Sequence, residues 1–149
     1  MVKPFAFGLE KVLEYRRQLE DEAKIVLSRA MADHEAQQRM VDGLEARLAA
    51  HSRSPYRDDD LQPGAGDIWL WQQYKEALER DIIDAKADLA RLALILQKCR
   101  RDAVEKSKER KLLEKLKENQ AKKYYAEANE KERKEFDEMA TIRFEPEDF

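Results

Sequence analysis

The long stretches without a helix-breaking residue most constrain how this chain can fold. From Asp67 to Glu145 there is neither proline nor glycine, and from Leu9 to Ser54 only Gly43 interrupts a segment that lacks proline. Proline and glycine are the residues that disfavour an α-helix most strongly. The sequence therefore predicts two long helices, over about residues 9–50 and 67–141.

A loop and an acidic tail complete the predicted organisation. The segment HSRSPYRDDDLQPGAG, residues 51–66, collects two prolines, two glycines and three consecutive aspartates, which is typical of a loop. Asp67 follows this loop directly and is predicted to cap the second helix. Residues 142–149 form a tail, and the whole chain, residues 1–149, is interpreted as a single coiled-coil domain.

Apolar residues recur at alternating steps of three and four, the pattern of helices that pack as a coiled coil. Two successive steps of four around Ala30 and His34 predict a stutter, where the supercoil relaxes. The predicted seam of the first helix is Leu9, Val12, Arg16, Leu19, Ala23, Val26, Ala30, His34, Gln37, Val41, Leu44 and Leu48. That of the second is Trp71, Tyr74, Leu78, Ile82, Ala85, Leu89, Leu92, Leu96, Cys99 and Ala103.

Unequal helix lengths predict an all-α, antiparallel two-helix coiled-coil hairpin with an overhanging C-terminal helix. At 1.5 Å per residue the helices would span roughly 63 Å and roughly 110 Å. If Ala50 faces about Ile68, Leu9 lies near Glu109 and the later residues have no intramolecular partner. We expect residues beyond about 115 to be dynamic alone and ordered by a partner.

The distribution of charge argues against several function classes. Charged residues make up 41% of the chain and its net charge is −3. Residues 100–135 hold 13 basic and 9 acidic residues, and this interleaving favours a solvated or protein-docking surface over a nucleic-acid site. A long apolar segment of the kind that spans a membrane is missing, so we expect a cytoplasmic protein.

Catalytic and metal-binding patterns are also missing from the sequence. With two histidines and one cysteine it has no phosphate loop, no His-Glu-x-x-His motif and no Cys-x-x-Cys motif. His34, His51 and Cys99 are interpreted as structural residues. The sequence therefore predicts no enzyme, no cofactor and no metal ion.

The two tryptophans lie within GDIWLWQQY, residues 66–74, at the predicted start of the second helix. Trp71 belongs to the seam and is expected to close the core beside the loop. Trp69 lies off the seam, so it either packs under the loop, against Tyr56 or Pro63, or faces solvent. An exposed Trp69 would be a candidate for protein contact.

Both ends of the chain resemble the FliJ family of flagellar export proteins. The N-terminal PFAFGLEKVLEYRRQLEDEAKIVLSRA is similar to the family's opening, in which a phenylalanine precedes a leucine-rich turn, arginines, an acid and an alanine-rich stripe. The C-terminal LEKLKENQAKKYYAEANEKERKEFDEMATIRF resembles the family's acid-rich end. The residues that carry the resemblance are Phe7, Leu9, Val12, Leu13, Arg16, Arg17, Glu22, Ala23, Glu132, Asp137, Glu138, Met139 and Ala140.

The resemblance implies a stalk-like coiled coil similar to the rotor stalk of rotary ATPases. Such a protein associates with the hexameric flagellar export ATPase, promotes its assembly and activity, and links it to the membrane-bound export gate and to export chaperones. It would be a monomer alone and peripheral at the membrane through other proteins. The residues expected to contact partners are Arg16, Arg17, Lys106, Arg110, Lys117 and Trp69.

Two other interpretations share the same physical features. A stalk of a virulence-type secretion system would have similar helices and charges. A self-assembling coiled-coil scaffold would instead use the overhanging helix to pair with a second copy.

Overall fold

The computed structural model describes residues 2–53 and 64–143, and over these residues the chain forms two α-helices and no β-strand. Helix α1 spans Glu10–Ser52 and helix α2 spans Ala65–Arg143. The two helices pack against each other, which confirms the predicted all-α class. Most of the predicted loop, residues 54–63, and most of the predicted tail, residues 144–149, lie outside the described residues.

Helix α2 begins slightly earlier than the sequence indicates. The carbonyl oxygen of Gly64 accepts hydrogen bonds from the backbone N–H groups of Asp67, at 3.0 Å, and Ile68, at 3.3 Å. Gly64 is therefore the capping position, and the prediction that Asp67 caps the helix is wrong. The Asp67 carboxylate lies in the first turn instead, where the helix dipole still favours a negative charge.

The chain has two compact units, each with segments of both helices. One unit runs from Glu22 to Ala103, and the other combines the start of the chain up to Asp21 with the part from Val104 onward. In the Glu22–Ala103 unit, partner numbers on α2 fall as numbers on α1 rise, so its two segments are antiparallel. The pairs that show this are Ala30 with Leu96, Gln37 with Ala85, and His51 with Trp71.

The other unit shows the same antiparallel order at a different register from the predicted one. Glu10 contacts Lys117, and the backbone of Lys3 contacts Tyr124. The prediction that Leu9 lies near Glu109 is therefore wrong by about two helical turns. The prediction that residues after Glu109 have no intramolecular partner is also wrong, because Lys117, Tyr124 and Tyr125 contact the first ten residues of the chain.

The seam of α1 differs from the predicted one at three positions, all before Ala30. Leu9, Val12 and Val26 are exposed, and the residue that follows each of them is shielded instead: Glu10, Leu13 and Leu27. Leu19 is partly buried as predicted, and Glu20 beside it is buried. With Leu27 in the seam, the steps around Ala30 and His34 are an ordinary three and four, so the predicted stutter is wrong. The seam prediction followed the spacing of apolar residues, so it did not include Glu20, a charged residue at a core position.

The seam of α2 continues beyond Ala103, where the apolar pattern ends. Tyr74 is exposed, and Lys75 takes its place as a partly buried residue. Partly buried residues continue the steps of three and four through Lys106, Arg110, Leu113 and Lys117, and three of these four are cationic. Beyond Ala128, every described residue of α2 is exposed. Ion pairs at i,i+4 lie on the exposed side of this part of α2: Glu118 with Lys122 at 3.1 Å and Glu130 with Lys134 at 3.8 Å.

Candidate protein-binding surfaces

The most deeply buried charge among the described residues is the carboxylate of Glu20. Only 2% of Glu20 is exposed, and the Arg110 side chain, at 22% exposed, donates hydrogen bonds to both of its carboxylate oxygens. Hydrogen bonding to the Glu20 carboxylate raises the pKa of the Arg110 guanidinium above its ordinary value. A buried carboxylate is tolerated only when such partners replace its water, so Glu20 and Arg110 require each other.

Glu114 forms two further ion pairs, one with Arg110 and one with Arg17. Arg110 Nη1 donates to Glu114 Oε2 at 2.6 Å, and Arg17 Nη2 approaches the other Glu114 oxygen at 3.5 Å. Glu114 therefore bridges two of the arginines that the sequence marks as partner-binding candidates. The Arg17 side chain stays about half exposed, so this outer pair is the weaker one.

The other predicted cations also face glutamates of the same chain. Arg16 Nη1 donates to Glu109 Oε2 at 2.6 Å, and Lys106 Nζ lies 3.9 Å from the same oxygen. Lys117 Nζ lies 2.7 Å from Glu10 Oε2. The structure thus brings Arg16, Arg17, Lys106, Arg110 and Lys117 into one ladder of ion pairs, hereafter the charged ladder, which joins α1 to α2.

A separate row of lysines lies on the outer side of α2. Lys108, Lys111 and Lys115 are exposed, and among the described residues none of them has an ion-pair partner. They surround Leu112, which is 70% exposed. The sequence places these lysines in the basic segment but does not distinguish them from the paired ones. Their spacing of three and four, on the side of α2 opposite the seam at about 100° per residue, is the signal that could have done so.

The segment before α1 is held on α2 by two tyrosines. Tyr124 Oη donates to the carbonyl of Lys3 at 2.8 Å, and the backbone N–H of Phe5 donates to Tyr125 Oη at 3.2 Å. The rings of Phe5 and Tyr124 lie 5.6 Å apart. Tyr124 and Tyr125 therefore serve an intramolecular contact that the sequence did not predict.

His51 and Trp71 form a reciprocal pair near the ends of the two helices that flank the loop. Trp71 Nε1 donates to the carbonyl of His51 at 3.1 Å, and His51 Nε2 donates to the carbonyl of Trp71 at 2.8 Å. The two rings are stacked, with their centroids 5.0 Å apart. Trp71 thus packs against the end of α1 as the sequence predicts, whereas His51 bonds α2 rather than the last carbonyls of its own helix.

Trp69 lies two residues away and is 60% exposed. Its neighbours Ile68 and Leu70 are also exposed, so three consecutive large apolar residues meet solvent at the start of α2. The two predicted packing partners, Tyr56 and Pro63, lie outside the described residues. The exposure favours the interpretation of Trp69 as a contact residue.

Comparison with known protein families identifies the chain's family. The model of the flagellar FliJ protein family matches residues 5–147, almost the entire chain. The chain belongs to the FliJ family. No curated protein and no solved structure matches it significantly. The family match confirms the resemblance of the two ends and assigns this FliJ-family chain a role related to flagellar protein export.

The remaining candidate residues of the FliJ-family chain lie in structural positions. Cys99 is buried with Ala30 and Leu96, and Leu27 packs against the three. His34 is partly buried in the seam. Over residues 2–53 and 64–143, no three His, Cys, Asp or Glu side chains are arranged to hold a metal ion. Neither described helix has an apolar run sufficient to cross a membrane.

The contacts of the two tryptophans predict different effects of their replacement. Trp71→Ala removes a hydrogen bond and a ring contact, so it should lower the free energy of unfolding by about 2 kcal/mol. Trp69→Ala, the matched control, should change it by less than about 0.5 kcal/mol. Chemical denaturation followed by circular dichroism measures both. Equal destabilisation by the two variants would show that Trp69 packs against the protein.

Replacement of the Glu20 and Arg110 pair tests its role in the seam. Arg110→Leu removes the guanidinium from a buried carboxylate and should lower Tm by about 5 °C. The double variant Glu20→Leu/Arg110→Leu puts two leucines at core positions and should recover or exceed the original Tm. Arg91→Leu, an exposed position on the same helix, is the control. A double variant as unstable as Arg110→Leu would contradict this assignment.

Proposed function

We propose that this FliJ-family chain is a non-enzymatic stalk and escort component of the flagellar type III protein-export apparatus. It binds the hexameric export ATPase, promotes its assembly and activity, and links it to the export gate and to export chaperones. The observation that carries this proposal is the family match over residues 5–147. The protein would act in the cytoplasm, as a monomer when alone, and reach the membrane only through the apparatus.

The proposed form of the stalk is a single antiparallel coiled-coil hairpin with an overhanging C-terminal helix. The antiparallel order of contacts in each unit supports the hairpin. The exposure of all described residues beyond Ala128 supports the overhang. A slender pair of helices with little core suits insertion into the opening of a ring, because it presents side chains on every outer face.

We assign the ATPase contact to the end of the chain that carries the charged ladder. Arg16, Arg110 and Lys117 hold α1 against α2, so their charges are already matched by glutamates. Arg17 and Lys106 have the longest ion-pair distances of the ladder and keep part of their side chains exposed. The row of Lys108, Lys111 and Lys115 adds cations that have no ion-pair partner among the described residues. These outer cations would meet an acidic surface inside the ring.

Trp69 would serve a second partner at the opposite end of α2. The exposed row of Ile68, Trp69 and Leu70 offers an aromatic anchor with apolar neighbours, the composition that dominates the energy of protein interfaces. The export gate or an export chaperone is the proposed partner there. Trp69 belongs to the Glu22–Ala103 unit and the charged ladder to the other unit, so the two surfaces would serve different partners.

Charge reversal of the outer lysines tests the ATPase contact. Lys108→Glu/Lys111→Glu/Lys115→Glu should weaken the stimulation of ATP hydrolysis by the purified export ATPase, with an apparent affinity about tenfold lower. Because these side chains are exposed, helix content and Tm should change little.

Arg80→Glu/Arg91→Glu/Lys98→Glu is the matched control, since it reverses the same number of exposed cations nearer the loop. The control should stimulate the ATPase normally. Loss of stimulation in the control alone would move the contact to the other end of the chain. A stable dimer in sedimentation, with no stimulation by the unmodified chain, would instead favour a self-assembling scaffold.

A further inference from the structure

The last two turns of α2 carry an apolar stripe that no described residue covers. Phe136, Met139 and Ile142 follow one another at steps of three and are 75%, 64% and 71% exposed. Together with Glu132, Glu135 and Glu138 they line one shallow groove along the helix. Three large apolar side chains in a row on one side of a helix form a patch, and exposed patches of this kind are typical of binding sites.

The charge of the groove indicates what kind of partner it fits. Each of its three polar lining residues is a glutamate, and among the described residues none of these carboxylates has an ion-pair partner. The nearest ion pair of this segment joins Glu130 to Lys134, on the opposite side of the helix at about 100° per residue. The groove therefore combines apolar side chains with three carboxylates that form no ion pair with another described residue.

Several classes of partner are disfavoured by this combination. Anionic lipid and nucleic acid would be repelled by the three carboxylates. A second copy that paired through the same groove would bring like charges together, which is destabilising. The partner that matches both features is a helix with an apolar ridge flanked by lysine or arginine.

We propose that the groove formed by Phe136, Met139 and Ile142 with Glu132, Glu135 and Glu138 docks a cationic amphipathic helix of another protein. The apolar residues supply the buried contact, and the glutamates orient the partner by charge. From Glu132 to Ile142 the groove is about 15 Å long, which matches about three turns of a partner helix. This surface is opposite in charge to the lysine row proposed to contact the ATPase, so it serves a different partner.

Two synthetic peptides test the proposal on the full chain without any export component. One is a helical peptide of leucine and lysine with an apolar ridge, and the other replaces every lysine with glutamate. Fluorescence anisotropy should show that the lysine peptide binds and that the glutamate peptide binds at least tenfold more weakly. Phe136→Ala/Met139→Ala should weaken binding of the lysine peptide about tenfold.

Matched variants separate groove binding from nonspecific attraction. Leu112→Ala removes an equally exposed apolar residue of α2 that is surrounded by lysines, so it should leave peptide binding unchanged. Glu132→Lys/Glu135→Lys/Glu138→Lys should invert the preference toward the glutamate peptide. Circular dichroism should show the same helix content for all variants, because every altered side chain is exposed.

Three results would overturn the proposal. Equal binding of the two peptides, equal effects of Phe136→Ala/Met139→Ala and Leu112→Ala, or stripe-dependent binding to anionic vesicles would each exclude a cationic helix as the occupant. None of these results depends on ATPase stimulation, so the proposed function and this inference can fail separately.

Discussion

The buried pair of Glu20 and Arg110 is the interaction on which the packing around the charged ladder depends. Glu20 is 2% exposed at a position that a coiled coil normally gives to an apolar residue. Arg110 donates to both oxygens of this carboxylate, so the pair favours the register in which Glu20 of α1 faces Arg110 of α2. Polar residues at core positions are best known for specifying such registers rather than for adding stability.

The same choice of residues explains why the unit that contains the charged ladder has little apolar core. Around the ladder, arginine, lysine and glutamate replace the leucines that would make a thick core, and neighbouring pairs such as Arg16 with Glu109 remain partly exposed. Exposed ion pairs contribute little to the free energy of unfolding. The stability of this part of the structure therefore depends on a few buried apolar side chains, such as those of Leu13 and Phe7. Such a segment can present many charges to a partner while it remains helical.

The sequence predicted what depends on helix propensity and missed what depends on a charged residue in the core. The absence of proline and glycine was sufficient for the two helices, and the three-four pattern located Ala30, Val41, Leu96 and Cys99 correctly. The predicted seam was wrong at Leu9, Val12 and Val26, and it missed Glu20 because apolar periodicity treats a charged residue as a surface residue. The ladder was recognised only as a basic cluster, since sequence alone cannot show which glutamate each cation faces. The contacts of Tyr124 and Tyr125 with the N-terminal segment join distant residues, so no local pattern reports them.

Thiol crosslinking measures directly the register of α1 against α2 that the charged ladder specifies. In a Cys99→Ser background, the pair Glu10→Cys/Lys117→Cys should react rapidly with a short bifunctional thiol reagent, because Glu10 and Lys117 are in contact. The pair Glu10→Cys/Glu109→Cys should react far more slowly, because Glu109 lies about 12 Å further along the helix. Rapid crosslinking of Glu10→Cys/Glu109→Cys, with little for the first pair, would contradict the register and the ladder with it.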